Sequence, residues 1–175
     1  AGALAALPGC GPSESEDLAV DTVELRSDVS AEEAAEQSGP RRELFVLRES
    51  QFSHEETVAR ALASLQQRDL TVFALIDHQA NAAEADLALK PSVVVIFGSP
   101  EIGTPLLQAA PLAAATLPLR MAIYENRRGE VIVAVPSVGA LRDTLPGLET
   151  QADRLDTISR NLAVLLDEVT GDEEG

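Results

Sequence analysis

The sequence predicts an α+β fold in a single compact domain, with about five strands, helices between them and a C-terminal amphipathic helix. Three observations carry that reading. Five short apolar runs have strand length. Several segments between them repeat apolar residues at helical spacing. Leu155, Ile158, Leu162, Leu165 and Val169 recur at intervals of three, four, three and four. The 175 residues are 45% apolar, enough for one core, and only 3% aromatic, so that core is aliphatic.

Leu44-Phe45-Val46-Leu47 reads as the first strand. Ser53 then offers an N-cap and Glu56 closes a capping box. Val58, Ala61, Leu62 and Leu65 form one helical face behind it. His54, at the first helical position, is expected on the solvated surface, with a ligand role as the alternative. Thr71 to Ile76 reads as a mostly buried strand, followed by a short alanine-rich helix after Asp77. Lys90-Pro91 breaks the chain. Val93 to Phe97 is apolar throughout and is expected to be central and covered on both faces.

Gly98-Ser99-Pro100 ends that strand, and the next helix is expected to start with Thr104 as N-cap and Pro105 at its first position. Pro111 is expected to break it at Ala110. Leu119 to Glu125 and Glu130 to Val135 alternate as two strands, joined through an Asn126-Arg127-Arg128-Gly129 hairpin loop. Ala140 to Thr144 is a short helix that ends near Pro146-Gly147. The final stripe, Leu155 to Val169, is expected to pack on the sheet or across a dimer seam.

The charge is concentrated at the flanks. The whole chain carries 29 acidic and 13 basic side chains, a net of −16. Residues 1–40 hold nine acids and one base, and residues 149–175 hold eight acids and two bases. Residues 41–148 are nearly balanced, with twelve acids and ten bases. The expected organisation is therefore a secretion and lipobox remnant over 1–10, a disordered acidic linker over 11–42, the α+β domain over 43–170 and an acidic tail over 171–175. Leu7-Pro8-Gly9-Cys10 resembles a bacterial lipobox, and Cys10 is the single cysteine. A lipid attached there would place the domain outside the cytoplasm, in the periplasm or on the cell surface, held to the membrane through the anchor alone.

Composition also excludes partners and chemistries. The acidity argues against nucleic acid, since phosphate binding needs clustered Lys and Arg. One Cys and two His leave no Cys-rich metal site and little room for a His cage. No nucleophile-elbow motif and no phosphate-cradling glycine loop occurs, so no catalytic residue is assigned and no cofactor is expected.

A set of motifs occurs in order along the chain: Ile76-Asp77-His78-Gln79-Ala80, Leu89-Lys90-Pro91, Ile96-Phe97-Gly98-Ser99-Pro100, Gly103-Thr104-Pro105-Leu106-Leu107-Gln108 and Leu117-Pro118-Leu119-Arg120. In these the chain resembles the DUF302 family over roughly residues 43–170. It departs from the family pattern at Ser99 and at Val135-Pro136. The resemblance implies a mainly antiparallel sheet backed by helices, often as a homodimer. It implies no established chemistry.

The motifs mark a candidate ligand site of Asp77, His78, Asn81, Gly98, Ser99, Thr104 and Gln108. If the strands ending at Asp77 and Gly98 are neighbours, their loops are expected to converge at one end of the sheet. Asp77 could accept a hydrogen bond from His78 or cap the next helix. The favoured function is a lipid-anchored, extracytoplasmic, non-enzymatic domain that binds a small ligand or a protein. One alternative is a metal- or haem-responsive protein using His78 with Asp77. The other is a purely structural, self-associating domain.

Overall fold

The computed structural model describes residues 44–172. The expectations for the anchor at Cys10, for the linker and for the last three residues of the tail lie outside the described residues. The chain runs β1 (Phe45–Glu49), α1 (His54–Gln67), β2 (Thr71–Asp77), α2 (His78–Glu84), β3 (Ser92–Gly98), α3 (Pro100–Ala109), β4 (Leu119–Glu125), β5 (Val131–Pro136), α4 (Val138–Thr144) and α5 (Ala152–Thr170). Short 3-10 turns at Pro111–Ala115 and Leu148–Gln151 lead into β4 and α5.

The five strands form one sheet in the order β1-β5-β4-β3-β2, and every neighbouring pair is antiparallel. The fold is thus the α+β class expected, with the long helix last. Cross-strand partners share a face of the sheet. Val93, Ile123 and Val133 stand in one row and are all buried, as are Val95 and Met121 in the next. The core lies on this face, closed by Ala61 and Leu65 of α1 and by the α5 stripe.

Local signals hold where they act over a few residues. The Ser53 hydroxyl accepts the Glu56 N–H at 3.3 Å, and Ser137 accepts the Ala140 N–H at 3.4 Å, so both cap helices. In the hairpin, the Asn126 carbonyl accepts the Gly129 N–H at 3.1 Å and its side-chain oxygen accepts the Arg128 N–H at 2.9 Å. Gly129 takes φ +88°, the left-handed conformation that such a three-residue loop needs.

Four expectations are corrected. β2 is an edge strand, with Phe73 and Leu75 each 51% exposed, because no strand among the described residues lies beyond it. β3 is not covered on both faces: its residues alternate between buried and part-exposed, and β4 holds the middle of the sheet. α3 starts at Pro100, so Thr104 lies inside the helix rather than at its cap. Pro100 competes with Pro105 as a first-position proline, and Ser99 is already extended at φ −136°. His54 is half-buried, with Nε2 3.1 Å from the Ile123 carbonyl, tying the start of α1 to β4. Leu155, Leu162, Leu165 and Val169 are buried within their own chain, so of the two alternatives for that stripe it takes the first and packs against the sheet.

Candidate functional site

The antiparallel register divides the expected site in two. Asp77 pairs with Val93, whereas Thr71 pairs with Gly98. The C-terminal ends of β2 and β3 are therefore at opposite ends of the sheet, and the two loops do not converge. Convergence would have required parallel neighbours.

At one end, Asp77 caps α2: its carboxylate accepts the Ala80 N–H at 2.9 Å. The Gln79 side-chain amide donates to the Leu89 carbonyl at 3.1 Å and ties the helix to the loop that follows. His78 and Asn81 are exposed, and α2 buries no residue. Among the described residues, no group of three or more His, Cys, Asp or Glu side chains is placed to hold a metal ion.

At the other end, Gly98, Ser99 and Thr104 meet at an open cavity of about 310 Å³. Gln108, further along α3 and exposed, is not part of its lining. Ile102, Leu106 and Leu107 of α3 form one wall, Val138 and Leu141 of α4 a second, and Leu155 and Ile158 of α5 a third. The segment Leu117-Pro118-Leu119 entering β4 closes the cavity, with the Phe73 ring alongside Gly98. A Cβ built on Gly98 would lie 3.6 Å from that ring and 3.7 Å from Pro118, ordinary contact distances, so this glycine is not sterically obligatory. Phe73 and Ile102 remain exposed although they line the cavity.

The polar groups are few. The Ser99 hydroxyl donates to the Glu101 carboxylate at 2.5 Å, and this bond holds the Glu101 pKa below its ordinary value. Thr104 supplies a second hydroxyl to the lining. An enclosure with mostly apolar walls and two hydroxyls can desolvate a small apolar body and orient one polar substituent.

Reading the motifs one residue at a time missed the apolar lining: Phe73, Leu117, Leu141, Leu155 and Ile158 are scattered over the chain and look like ordinary core positions. The register shift between Val72 and Ala74 singles out Phe73 in the structure. Nothing local in the sequence marks it.

A family model described as "Domain of unknown function DUF302" matches residues 46–169. The solved structure titled "Crystal structure of uncharacterized conserved protein DUF302 from Bacillus stearothermophilus" aligns with a TM-score of 0.64 at 20% identity. The match covers 73% of this chain and 98% of that one, and shows a shared fold. The Fluoride-specific ion channel FluC 1 of Brucella suis biovar 1 is 38% identical over 87 residues, which is 50% of this chain and 34% of that protein. FluC 2 of Brucella melitensis biotype 1 gives the same identity over 87 residues, 32% of its length. The chain thus spans about a third of the length of these curated relatives.

Proposed function

This chain belongs to the DUF302 family, and on that footing we propose that it is a non-enzymatic binding module for a small apolar molecule, held outside the cytoplasm by a lipid on Cys10. The observation that carries the binding reading is the cavity between α3, α4 and α5, whose 310 Å³ sits at the small end of the range of about 300–1,000 Å³ for ligand pockets. Burying a ligand against Leu106, Leu107, Leu141 and Ile158 would contribute about 25 cal/mol per Å² of apolar surface removed from water. The Ser99 and Thr104 hydroxyls would orient a hydroxyl or carbonyl on the ligand.

Titration with the uncharged fluorophore N-phenyl-1-naphthylamine tests this reading. Its emission is expected to rise on addition of the protein, and Ile102→Trp, which places an indole at the mouth, is expected to weaken binding at least tenfold. An unchanged emission with the unsubstituted protein would sink the reading.

The anchor rests on Leu7-Pro8-Gly9-Cys10 and on the acidic stretch that separates Cys10 from the domain. No helix among the described residues is long and apolar enough to cross a membrane. A lipid would tether such a domain, and stable anchoring takes two signals, for instance two acyl chains. The channel names of the Brucella relatives fit a module that works beside a membrane. Mass spectrometry of protein extracted from native membranes is expected to show acyl chains on Cys10. Recovery of unmodified Cys10 from the soluble fraction would remove the anchor and leave the cavity reading standing.

A further inference from the structure

The sheet has two apolar faces, and among the described residues α1 and α5 cover one. On the other face, cross-strand register aligns Leu47, Ala134, Ala122, Val94 and Ile76 in a single row. Arg120 stands on the same face, two residues before Ala122 and paired with Ile96. At one end this face is flanked by two segments, the 3-10 turn that precedes β4 and the helix α4 that follows β5. Between them and the strands lies a cleft of about 420 Å³. Val94, Ala122 and Ala134 form its floor, and Thr116 after the turn and Leu141 of α4 wall it. Leu44 and Phe45, 62% and 52% exposed, stand at its rim.

The polar groups of this cleft are few and of one kind. Its lining is apolar except for Arg120 and three hydroxyls, and it includes no carboxylate. In a chain with 29 acidic and 13 basic side chains, that inverts the balance of the rest. Arg120 forms no ion pair and no side-chain hydrogen bond among the described residues, so its fork of N–H groups is unclaimed. The hydroxyls differ among themselves. Thr116 donates to the Ala113 carbonyl at 3.0 Å and Thr144 to the Ala140 carbonyl at 2.8 Å, so neither has a hydrogen left to give. Ser137 instead accepts the Ala140 N–H at 3.4 Å, and its own hydrogen is uncommitted among the described residues. The side-chain donors open to a ligand are therefore one guanidinium and one hydroxyl, beside apolar walls.

We propose that this cleft binds a free medium-chain fatty acid, its carboxylate on the Arg120 guanidinium and the Ser137 hydroxyl and its chain along Val94, Ala122 and Ala134. A guanidinium presents two parallel N–H groups that match a carboxylate, which an ammonium cannot do. One cation balances one negative charge. A doubly charged phosphate would leave a second charge uncompensated beside apolar walls, so the site selects a monoanion. The alanines at 122 and 134 leave a furrow between larger neighbours, and an unbranched chain fits a furrow. Each methylene that enters it multiplies the affinity about fourfold. The cleft shares only Leu141 with the cavity between α3, α4 and α5, and the inference does not rest on the reading proposed for that cavity.

Equilibrium dialysis of the full chain against radiolabelled octanoate is the test. Retention is expected with a Kd below about 1 mM, tightening about fourfold per methylene from hexanoate to octanoate. Arg120 is exposed, so Arg120→Gln is expected to keep the far-UV circular dichroism and weaken octanoate at least tenfold. Arg120→Lys is expected to lose less, since the charge remains without the fork. Ala115→Trp, on the exposed turn that lines the cleft, is expected to weaken octanoate by filling the space. Ile102→Trp, at the mouth of the other cavity, is expected to retain octanoate. No retention by the unsubstituted protein overturns the proposal. So does retention that survives both Arg120→Gln and Ala115→Trp, or that disappears in Ile102→Trp. Octylamine retained as well as octanoate would leave the cleft without charge selection and overturn it. A protein that ignores octanoate and gathers only on anionic phospholipid vesicles would assign the face to a lipid surface and equally overturn it.

Discussion

Asp77 and Gly98 end adjacent strands and yet are separated by the length of the sheet: Asp77 lies beside Val93, and Gly98 is five steps further along β3, about 17 Å away. The polar cluster at Asp77 and the apolar cavity at Gly98 are therefore two places with separate consequences.

Asp77→Ala is expected to fray α2 and cost about 1 kcal/mol locally, because the Ala80 N–H loses its cap. Binding of N-phenyl-1-naphthylamine at the distant cavity should not change. Amide exchange over residues 78–84, together with the fluorophore titration, measures both. A loss of fluorophore binding would show that the two ends communicate.

Gly147 holds φ +100° where α4 gives way to α5, and a Cβ there would come within 2.5 Å of the Ala109 carbonyl oxygen at the end of α3. Gly147→Ala is expected to cost more than about 1–2 kcal/mol, the left-handed penalty alone, since the clash adds to it. Thermal denaturation would register the loss as a lower Tm. Displacement of α3 should also weaken fluorophore binding, since α3 forms a wall of the cavity.

Arg60 of α1 reaches the C-terminal end of α5, donating to the carbonyls of Glu168 at 2.5 Å and Val169 at 3.3 Å, with its guanidinium 4.0 Å from the centre of the Phe52 ring. The last turn of α5 has no basic residue of its own, so this arginine answers the negative end of the helix from outside. Arg60→Ala is expected to lower stability by about 1–3 kcal/mol in urea denaturation, through lost charge-assisted bonds and ring contact. Arg60→Lys should recover part of that and not all, since Lys lacks the planar fork.

Glu168 joins the same two helices. Its carboxylate accepts from Arg68 at 2.5 Å and from Ser64 at 3.4 Å. The Arg68 hydrogen bond, aided by its charge, holds the Glu168 pKa below the ordinary 4.5, against a smaller opposing effect of desolvation. A depressed folded pKa means that the pair's contribution is present above the unfolded value and is lost as pH falls through the folded one. Melting temperature is therefore expected to fall below about pH 4.5, and Glu168→Gln to flatten that fall. The contribution is modest because the pair is partly exposed to solvent. An identical pH profile in both proteins would contradict the assignment.

Much of the fold was legible because its causes are short-range. Ser53 and Asn126 act through N–H groups two to four residues away, and Pro111 ends a helix through its own ring. Local signals fail where two of them compete, as Pro100 and Pro105 do for the start of α3. They also fail where the outcome depends on distant partners. His54 is held by a carbonyl of β4, sixty-nine residues along the chain.

The chain by itself determined which segments are strands and helices, which side of α5 is apolar, and that Asp77 precedes a helix needing a cap, since each follows from side-chain periodicity or hydrogen bonds within a turn. Only the tertiary structure decided strand direction and order. Those two facts put Asp77 and Gly98 at opposite ends, left β2 at an edge, gathered Phe73, Leu106, Leu141 and Ile158 around one cavity and exposed a second apolar sheet face. The physical reason is that register and direction are settled by long-range pairing and burial, and a period-two pattern reads identically whichever way its strand runs.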